Sequence, residues 1–142
     1  MENSSIMLPF FGVMTLSFVV WLYMYVLRLQ YISANNIDAA ELATPEKLNA
    51  LIPERINNPS NNLKNLFELP VLFYAVCLYL YQSNAVDPIY FYCAWAFFIL
   101  RCAHSLVQCT SNVVAIRFSL YLFSSLVLWF MVLRCLWSLL TI

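Results

Sequence analysis

Polar and charged residues interrupt the apolar stretches of this 142-residue sequence at a regular spacing. In each of three sets, the second residue lies three or four positions after the first, and the third lies seven positions after the first. This spacing places each set along one face of a helix. The sets are Asn61, Asn65 and Glu68; Arg101, His104 and Gln108; and Arg117, Tyr121 and Ser124. Arg28 and Lys64 lie at the ends of neighbouring apolar stretches. Charges inside a membrane-spanning helix cost about 2.5–3.5 kcal/mol each on insertion scales, so such stripes require partners or a function.

The charges of this set indicate what it would bind. Cations outnumber anions, because Arg28, Lys64, Arg101 and Arg117 stand against Glu68. Arginine binds a carboxylate through two parallel hydrogen bonds, and a carboxylate accepts an ammonium group. The set fits a ligand with more than one carboxylate and one amine, which describes glutathione and also other anionic ligands. A purely structural role is the alternative, because Lys and Arg at helix ends snorkel to the interface.

The composition predicts an integral membrane protein. Hydrophobic residues make up 63% of the chain and charged residues 10%, against about 45–50% and about 25% in soluble domains. The single glycine and the 17% aromatic content favour long helices over barrel strands and turns. The formal net charge is zero, so no basic surface indicates a nucleic-acid partner.

Four apolar stretches are long enough to cross a bilayer as helices. They cover residues 6–29, 61–82, 88–109 and 114–140. The predicted fold class is all-α, an integral membrane four-helix bundle with up-down-up-down topology and a single domain, 1–142. The turn residues at 84–88 predict an antiparallel helix pair. In the polar connector 30–60, Thr44 followed by Pro45 predicts a short surface helix up to about Leu51.

The distribution of Lys and Arg predicts the orientation in the membrane. Six of these residues lie in or beside the 30–60 connector or flank the break at 110–112: Arg28, Lys47, Arg55, Lys64, Arg101 and Arg117. The N-terminal tail and the 83–87 turn contain none. Both basic connectors should therefore face the cytoplasm, with both termini non-cytoplasmic. Arg134 departs from this rule, and we expect it to snorkel.

Targeting signals and cysteines complete the prediction of location. The N-terminus lacks the basic region and cleavage site of a signal peptide, so its apolar run is predicted to be a retained helix. We therefore predict a multi-pass membrane protein, which lies in the plasma (inner) membrane if the source is bacterial. The five cysteines form no CxxC pair and one histidine is present, so we predict no metal site and free, apolar thiols.

Two segments resemble a known family, the membrane-associated proteins in eicosanoid and glutathione metabolism (MAPEG). Glu54-Arg55 followed by Lys64-Asn65-Leu66-Phe67-Glu68-Leu69-Pro70 is similar to the family signature at the start of the second helix. Arg101-Cys102-Ala103-His104, followed by Arg117 and Tyr121, is similar to the branch of microsomal glutathione transferases and prostaglandin E synthase. The resemblance spans nearly the whole chain.

The resemblance implies a homotrimer that binds glutathione, as co-substrate, between neighbouring subunits near the cytoplasmic side. The positions that match glutathione-binding positions are Arg28, Lys64, Asn65, Glu68, His104, Arg117 and Tyr121. Glu68 would hold the γ-glutamyl amine, and Arg28 and Lys64 the carboxylates. Arg117 would be the catalytic residue that stabilises the thiolate, with Tyr121 assisting or stacking.

Arg117 has a direct physical rationale as the catalytic residue. A thiol with a pKa of about 8.5 is mostly protonated at neutral pH. A nearby fixed cation favours the thiolate, and each unit of pKa corresponds to about 1.4 kcal/mol. The thiolate would attack a lipophilic electrophile that enters from the surrounding membrane lipids.

Four functions are consistent with the sequence. The first is a glutathione-dependent transferase or peroxidase. The second is a non-catalytic lipid-binding scaffold of the same fold, which Lys64 and Gln108 favour because the active enzymes commonly carry arginine and tyrosine there. A small transporter or channel subunit is the third, although the charges cluster at one end instead of forming a path across the membrane. The fourth is a purely structural role.

Overall fold

Six α-helices account for most of residues 2–141, the part of the chain that the computed structural model describes, without the side chains of Ala39, Pro45 and Asn49. The helices are α1 (Met7–Ala34), α2 (Pro45–Leu51), α3 (Glu54–Leu66), α4 (Leu69–Gln82), α5 (Pro88–Cys109) and α6 (Val114–Leu140). Short 3-10 turns cover Asn3–Ile6 and Ala39–Leu42. The predicted domain 1–142 includes residues 1 and 142, which lie outside the described residues.

Four helical segments within residues 2–141 are long and apolar enough to cross a membrane. They are Asn3–Ala34, Glu54–Gln82, Pro88–Cys109 and Val114–Leu140. The shortest has 22 residues and is about 33 Å long, which matches a hydrocarbon core of about 30 Å. Large apolar side chains on these helices, such as Leu106, Phe118 and Trp137, are exposed, as lipid-facing side chains are. The predicted all-α membrane bundle is confirmed.

Hydrogen bonds at both ends establish the up-down-up-down arrangement. At the terminal end, formed by residues 3–6, 83–87 and 138–141, the Asn3 side chain donates to the Tyr81 carbonyl and accepts from the Val86 amide. At the connector end, formed by 35–53 and 110–113, Asn112 donates to Asn58. Helix α1 packs against α3, α4 and α5, and α6 packs against α5 and α4. Which end faces the cytoplasm stays a prediction.

The second span differs from the predicted helix 61–82. It begins earlier, at Glu54, and the helix is interrupted between Leu66 and Leu69. Pro70 causes the break because it lacks the amide N–H that a continuous helix would donate to the Leu66 carbonyl, and its ring would clash with that carbonyl. Glu68 lies in the break, with φ −95° and ψ −97°.

The connector between the first two spans is shorter than predicted. Helix α1 continues to Ala34 instead of ending near residue 29, so the connector covers 35–53 and not 30–60. The predicted short helix is confirmed as Pro45–Leu51, and the Thr44 hydroxyl accepts a hydrogen bond from the Lys47 amide at 3.3 Å. The first span extends because contacts with α3, such as Arg28 to Asn57, support its last turns.

The buried core changes character along the bundle. Its apolar cluster lies in the terminal half and contains Ile6, Phe10, Val13, Phe73, Cys77, Leu80, Tyr90, Ala94, Phe97, Leu128, Met131 and Cys135. Buried polar residues lie mostly toward the connector end: Asn57, Asn58, Asn62, Arg101, His104, Ser105, Gln108, Ser124 and Ser125. Apolar packing therefore stabilises one half of the bundle, and side-chain hydrogen bonds organise the other.

An ion pair joins α5 and α6 at the terminal end. Asp87 caps α5 by accepting from the Tyr90 amide at 2.9 Å. The Arg134 guanidinium donates two bonds to the same carboxylate, at 3.0 and 2.6 Å, and lies 4.2 Å from the Tyr90 ring centroid. The bonds from Arg134 lower the pKa of Asp87 below its usual range. Arg134 is therefore paired, where the sequence predicted that it would only snorkel.

Candidate functional site

A polar cavity of about 450 Å³ opens at the connector end. Its lining residues are Asn61, Lys64, Asn65, Glu68, His104, Gln108, Val114, Arg117, Phe118 and Tyr121. They come from α3, α5 and α6 and from the break after α3. The cavity brings together six of the seven residues singled out as glutathione-binding candidates, all except Arg28.

The helix break gives the polar cavity its negative charge. Glu68 lies outside regular helix and its side chain is exposed. The one salt bridge within the described residues joins Arg134 to Asp87, so the Glu68 carboxylate has no ion-pair partner among them. Lys64, one turn earlier on α3, is also exposed. The cavity thus presents one carboxylate and one ammonium group that are both available to a ligand.

Arg117 is held in place by a chain of amide hydrogen bonds. Its Nη1 donates to Asn112 Oδ1 at 2.6 Å, and the Asn112 amide nitrogen donates to Asn58 Oδ1 at 3.3 Å. Asn112 has a left-handed backbone, φ 49°, which Asn tolerates better than most residues. The bond to Asn112 is the one hydrogen bond of this guanidinium within residues 2–141, and because Arg117 lines the cavity, its other donors are available to a ligand.

Further amide bonds fix α3 against α5 at the wall of the polar cavity. Asn65 Nδ2 donates to Gln108 Oε1 at 3.1 Å. Deeper in the bundle, the Ser105 hydroxyl donates to Asn62 Oδ1 at 3.3 Å, and Asn62 Nδ2 lies 3.6 Å from Cys109 Sγ. The wall is therefore preorganised by side-chain contacts before any ligand binds.

His104 and Tyr121 lie together at the inner side of the polar cavity. Their ring centroids are 5.7 Å apart, and the buried Nδ1 of His104 has no hydrogen-bond partner among residues 2–141. Ser124, which the helical spacing grouped with Arg117 and Tyr121, does not line the cavity. Its hydroxyl instead donates to the Tyr121 backbone carbonyl at 2.8 Å, as that of Ser125 does at 2.7 Å.

Two arginines of the predicted polar zone lie outside the polar cavity. Arg28 lines a second cavity of about 310 Å³ beneath the connector, where Lys64 also contributes. Its Nη2 donates to Asn57 Oδ1 at 3.1 Å. Arg101 is fully buried behind the Tyr121 ring. The sequence predicted four cations of one zone, but the chain places them in three settings. Arg117 lines the polar cavity, Arg28 lines the second cavity and Arg101 is buried behind Tyr121, while Lys64 lines both cavities.

Sequence reasoning missed the residues that support the site. Asn58 and Asn112 were assigned to connector segments, yet they hold Arg117. The four-residue spacing of Asn58 and Asn62 along α3 was a signal that could have revealed the first. Val114 and Phe118 line the cavity, but a search for polar stripes does not detect apolar lining residues. Within residues 2–141, no group of three His, Cys, Asp or Glu side chains could hold a metal ion.

Fold and site together define an integral, multi-pass helical membrane protein with a charged cavity at one end. The sequence model of the MAPEG family matches residues 6–137, which is nearly the whole chain. The protein therefore belongs to the MAPEG family, which includes glutathione transferases and related enzymes. Neither a curated protein nor a solved structure matches the chain.

Proposed function

We propose that this protein is a glutathione-dependent transferase or peroxidase that acts on lipophilic electrophiles, nearest to the microsomal glutathione transferase and prostaglandin E synthase branch. The observation that carries the proposal is the polar cavity, which brings together Glu68, without a salt bridge among residues 2–141, an exposed Lys64 and a preorganised Arg117. Membership of the MAPEG family supports glutathione as the ligand.

The charges of the polar cavity match those of the tripeptide. Glu68 accepts the γ-glutamyl ammonium group, and Lys64 binds a carboxylate. The amide nitrogen of Asn65 already donates to Gln108. The side-chain carbonyl of Asn65 can therefore accept a hydrogen bond from the backbone of the bound tripeptide. His104 and Tyr121 line the inner side of the polar cavity, where the cysteinyl part of the ligand would lie.

Arg117 favours the thiolate of the bound ligand. The thiol loses its proton to solvent through the open cavity, and the positive guanidinium stabilises the sulfur anion that remains. The sulfur then bonds to the electrophilic carbon of the second substrate as the leaving group departs with its electron pair. Because Asn112 already orients the guanidinium, little reorganisation is needed at the moment of reaction.

The second substrate reaches the polar cavity from the lipid. Phe118 is 63% exposed and Val114 is 64% exposed, and both line the cavity at the start of α6. The charged interior of the cavity suits the water-soluble nucleophile, and the apolar rim suits an electrophile that is dissolved in the membrane. The two substrates can therefore meet at this place.

Arg28 acts across a subunit boundary in this proposal. Within one chain it lines the cavity beneath the connector and not the polar cavity of Glu68 and Arg117, and a neighbouring subunit would bring a second Arg28 to the ligand carboxylates. A homotrimer with glutathione between subunits provides that arrangement, because a closed ring repeats the same contact at every interface.

The proposal is tested by adding glutathione to the purified protein and following the ultraviolet absorbance of the thiolate. We expect thiolate formation at neutral pH and conjugation of a chlorodinitrobenzene with release of chloride. The absence of glutathione binding at millimolar concentration would contradict the proposal.

A non-catalytic lipid-binding scaffold is the second candidate. An apolar cavity of about 430 Å³ favours it, lined by Met14, Ser17, Phe18, Trp21, Leu66, Phe67 and Tyr74. A scaffold predicts lipid that co-purifies in this cavity, without turnover of electrophiles or hydroperoxides. Turnover that is lost in Arg117→Ala would exclude it.

A further inference from the structure

Arg101 on α5 carries a buried charge that forms no salt bridge within residues 2–141. Its side chain is 0% exposed, and its three guanidinium nitrogens have no hydrogen-bond partner among residues 2–141. The guanidinium carbon lies 4.7 Å from the ring centroid of Tyr121 and 5.2 Å from that of Phe97. These two aromatic faces are its ring contacts, and the Tyr121 hydroxyl and the Glu68 carboxylate of the polar cavity also act on its charge.

The stability of the fold does not explain why a charged residue is buried at position 101. A buried charge without hydrogen bonds is costly, and replacing buried charges by apolar groups of similar size is often neutral or stabilising. Cation–π contacts return part of that cost. The position of the charge relative to the site therefore matters more than its contribution to packing.

The charge lies directly behind the inner side of the polar cavity. Tyr121 lines the cavity, whereas Arg101 does not, so the ring separates the guanidinium from the ligand space. His104 lies one turn further along α5 and also lines the cavity. Arg117 also lines the cavity, so an anion there would lie near one cation of the cavity lining and one behind the Tyr121 ring.

We propose that Arg101 is a positioning residue of the polar cavity, which acts through Tyr121. Its cation–π contact fixes the orientation of the ring, and its buried charge raises the positive potential where the ligand thiolate forms. The low dielectric around a fully buried charge extends its influence further than that of an exposed one. This inference rests on the proposed function.

The test measures the pH midpoint of thiolate formation by bound glutathione, together with the thermal unfolding midpoint, in the intact protein. Arg101→Met removes the charge and keeps an apolar chain of similar length. We expect its pH midpoint to rise by about one unit, with an unfolding temperature equal to or above that of the wild type. Arg101→Lys keeps the charge and should restore most of the shift.

Arg134→Met is the matched control, because Arg134 also lies over a tyrosine ring but at the terminal end. It should leave the pH midpoint unchanged and lower the unfolding temperature. An Arg101→Met protein that binds glutathione with an unchanged midpoint would overturn the inference while leaving the proposed function standing. Failure of Arg101→Met to fold would also overturn it, since the charge would then be required by the fold. No thiolate in the wild type would contradict the proposed function itself.

Discussion

Arg101 and Arg134 each lie over a tyrosine ring, one near the connector end of the bundle and one at the terminal end. Arg134 forms two hydrogen bonds with Asp87, whereas Arg101 forms none within residues 2–141. An arginine therefore joins two helices through an ion pair at the terminal end, whereas an arginine near the connector end lies without a salt bridge behind a charged cavity. This difference indicates that the terminal end serves stability and the connector end serves binding.

Replacing Arg117 should produce the largest loss of function. Arg117→Met removes the cation that stabilises the thiolate, and we expect turnover to fall by about 100- to 1000-fold, as for the loss of one preorganised donor. Initial rates of conjugation measure the effect. The same substitution at Arg134, which lies at the opposite end, should leave the rate within about twofold; a comparable loss there would break the contrast between the two ends.

Glu68→Gln should weaken glutathione binding without unfolding the protein. The variant keeps the shape of the side chain and removes the charge that accepts the ligand ammonium, so we expect the dissociation constant to rise about 10- to 100-fold. Titration calorimetry in detergent measures it. Glu46→Gln, an exposed carboxylate on α2, is the control, and equal affinity in both variants would show that Glu68 does not contact the ligand.

Asn112→Gly should reduce turnover less than the loss of Arg117 itself. Glycine accepts the left-handed backbone of this position, so the substitution removes the 2.6 Å bond from Arg117 and the 3.3 Å bond to Asn58 without straining the backbone. We expect kcat to fall by about three- to tenfold, because a displaced guanidinium stabilises the thiolate less well. Asn84→Gly, which also replaces a left-handed Asn but at the terminal end, should keep kcat unchanged. Similar losses in both would mean that the effect is on folding.

Acid should weaken the terminal end through Asp87, with the smallest effect of the four. Because Arg134 lowers the pKa of Asp87 in the folded protein, its contribution to stability is fully present above the unfolded value of about 3.9 and is lost as pH falls through the folded value. The two side chains are 31% and 37% exposed, so solvent screening limits the contribution to about 1 kcal/mol or less.

Thermal unfolding of the wild type and Asp87→Asn at several pH values checks this effect. The two should differ at neutral pH and converge below about pH 4. A difference that persists in acid would mean that the carboxylate charge is not what stabilises this end.

The regular features of the protein could be predicted from the sequence. Helical spacing predicted that Asn61, Asn65 and Glu68 share one polar zone with Arg117 and Tyr121, and all five line one cavity, because an α-helix repeats its faces at fixed intervals. The turn at 83–87 likewise predicted an antiparallel pair, since so short a connection leaves no other arrangement.

Features that depend on how the helices rotate against each other could not be predicted. Arg101 and Arg117 share a polar stripe pattern in the sequence, but the rotation of α5 turns Arg101 behind Tyr121 and leaves Arg117 beside the ligand space. The Arg28 side chain faces a separate cavity for the same reason. The break at Glu68 was signalled by Pro70, although its effect on the cavity depends on contacts that only the packed bundle provides.

An experimental structure of the protein in a membrane-like environment at saturating glutathione would test directly whether the polar cavity binds this ligand. We expect one ligand per polar cavity, with its ammonium group at Glu68, its sulfur beside Arg117, and Arg28 of a neighbouring subunit at a carboxylate. A polar cavity without ligand under those conditions, or glutathione bound elsewhere on the protein, would contradict the proposed function.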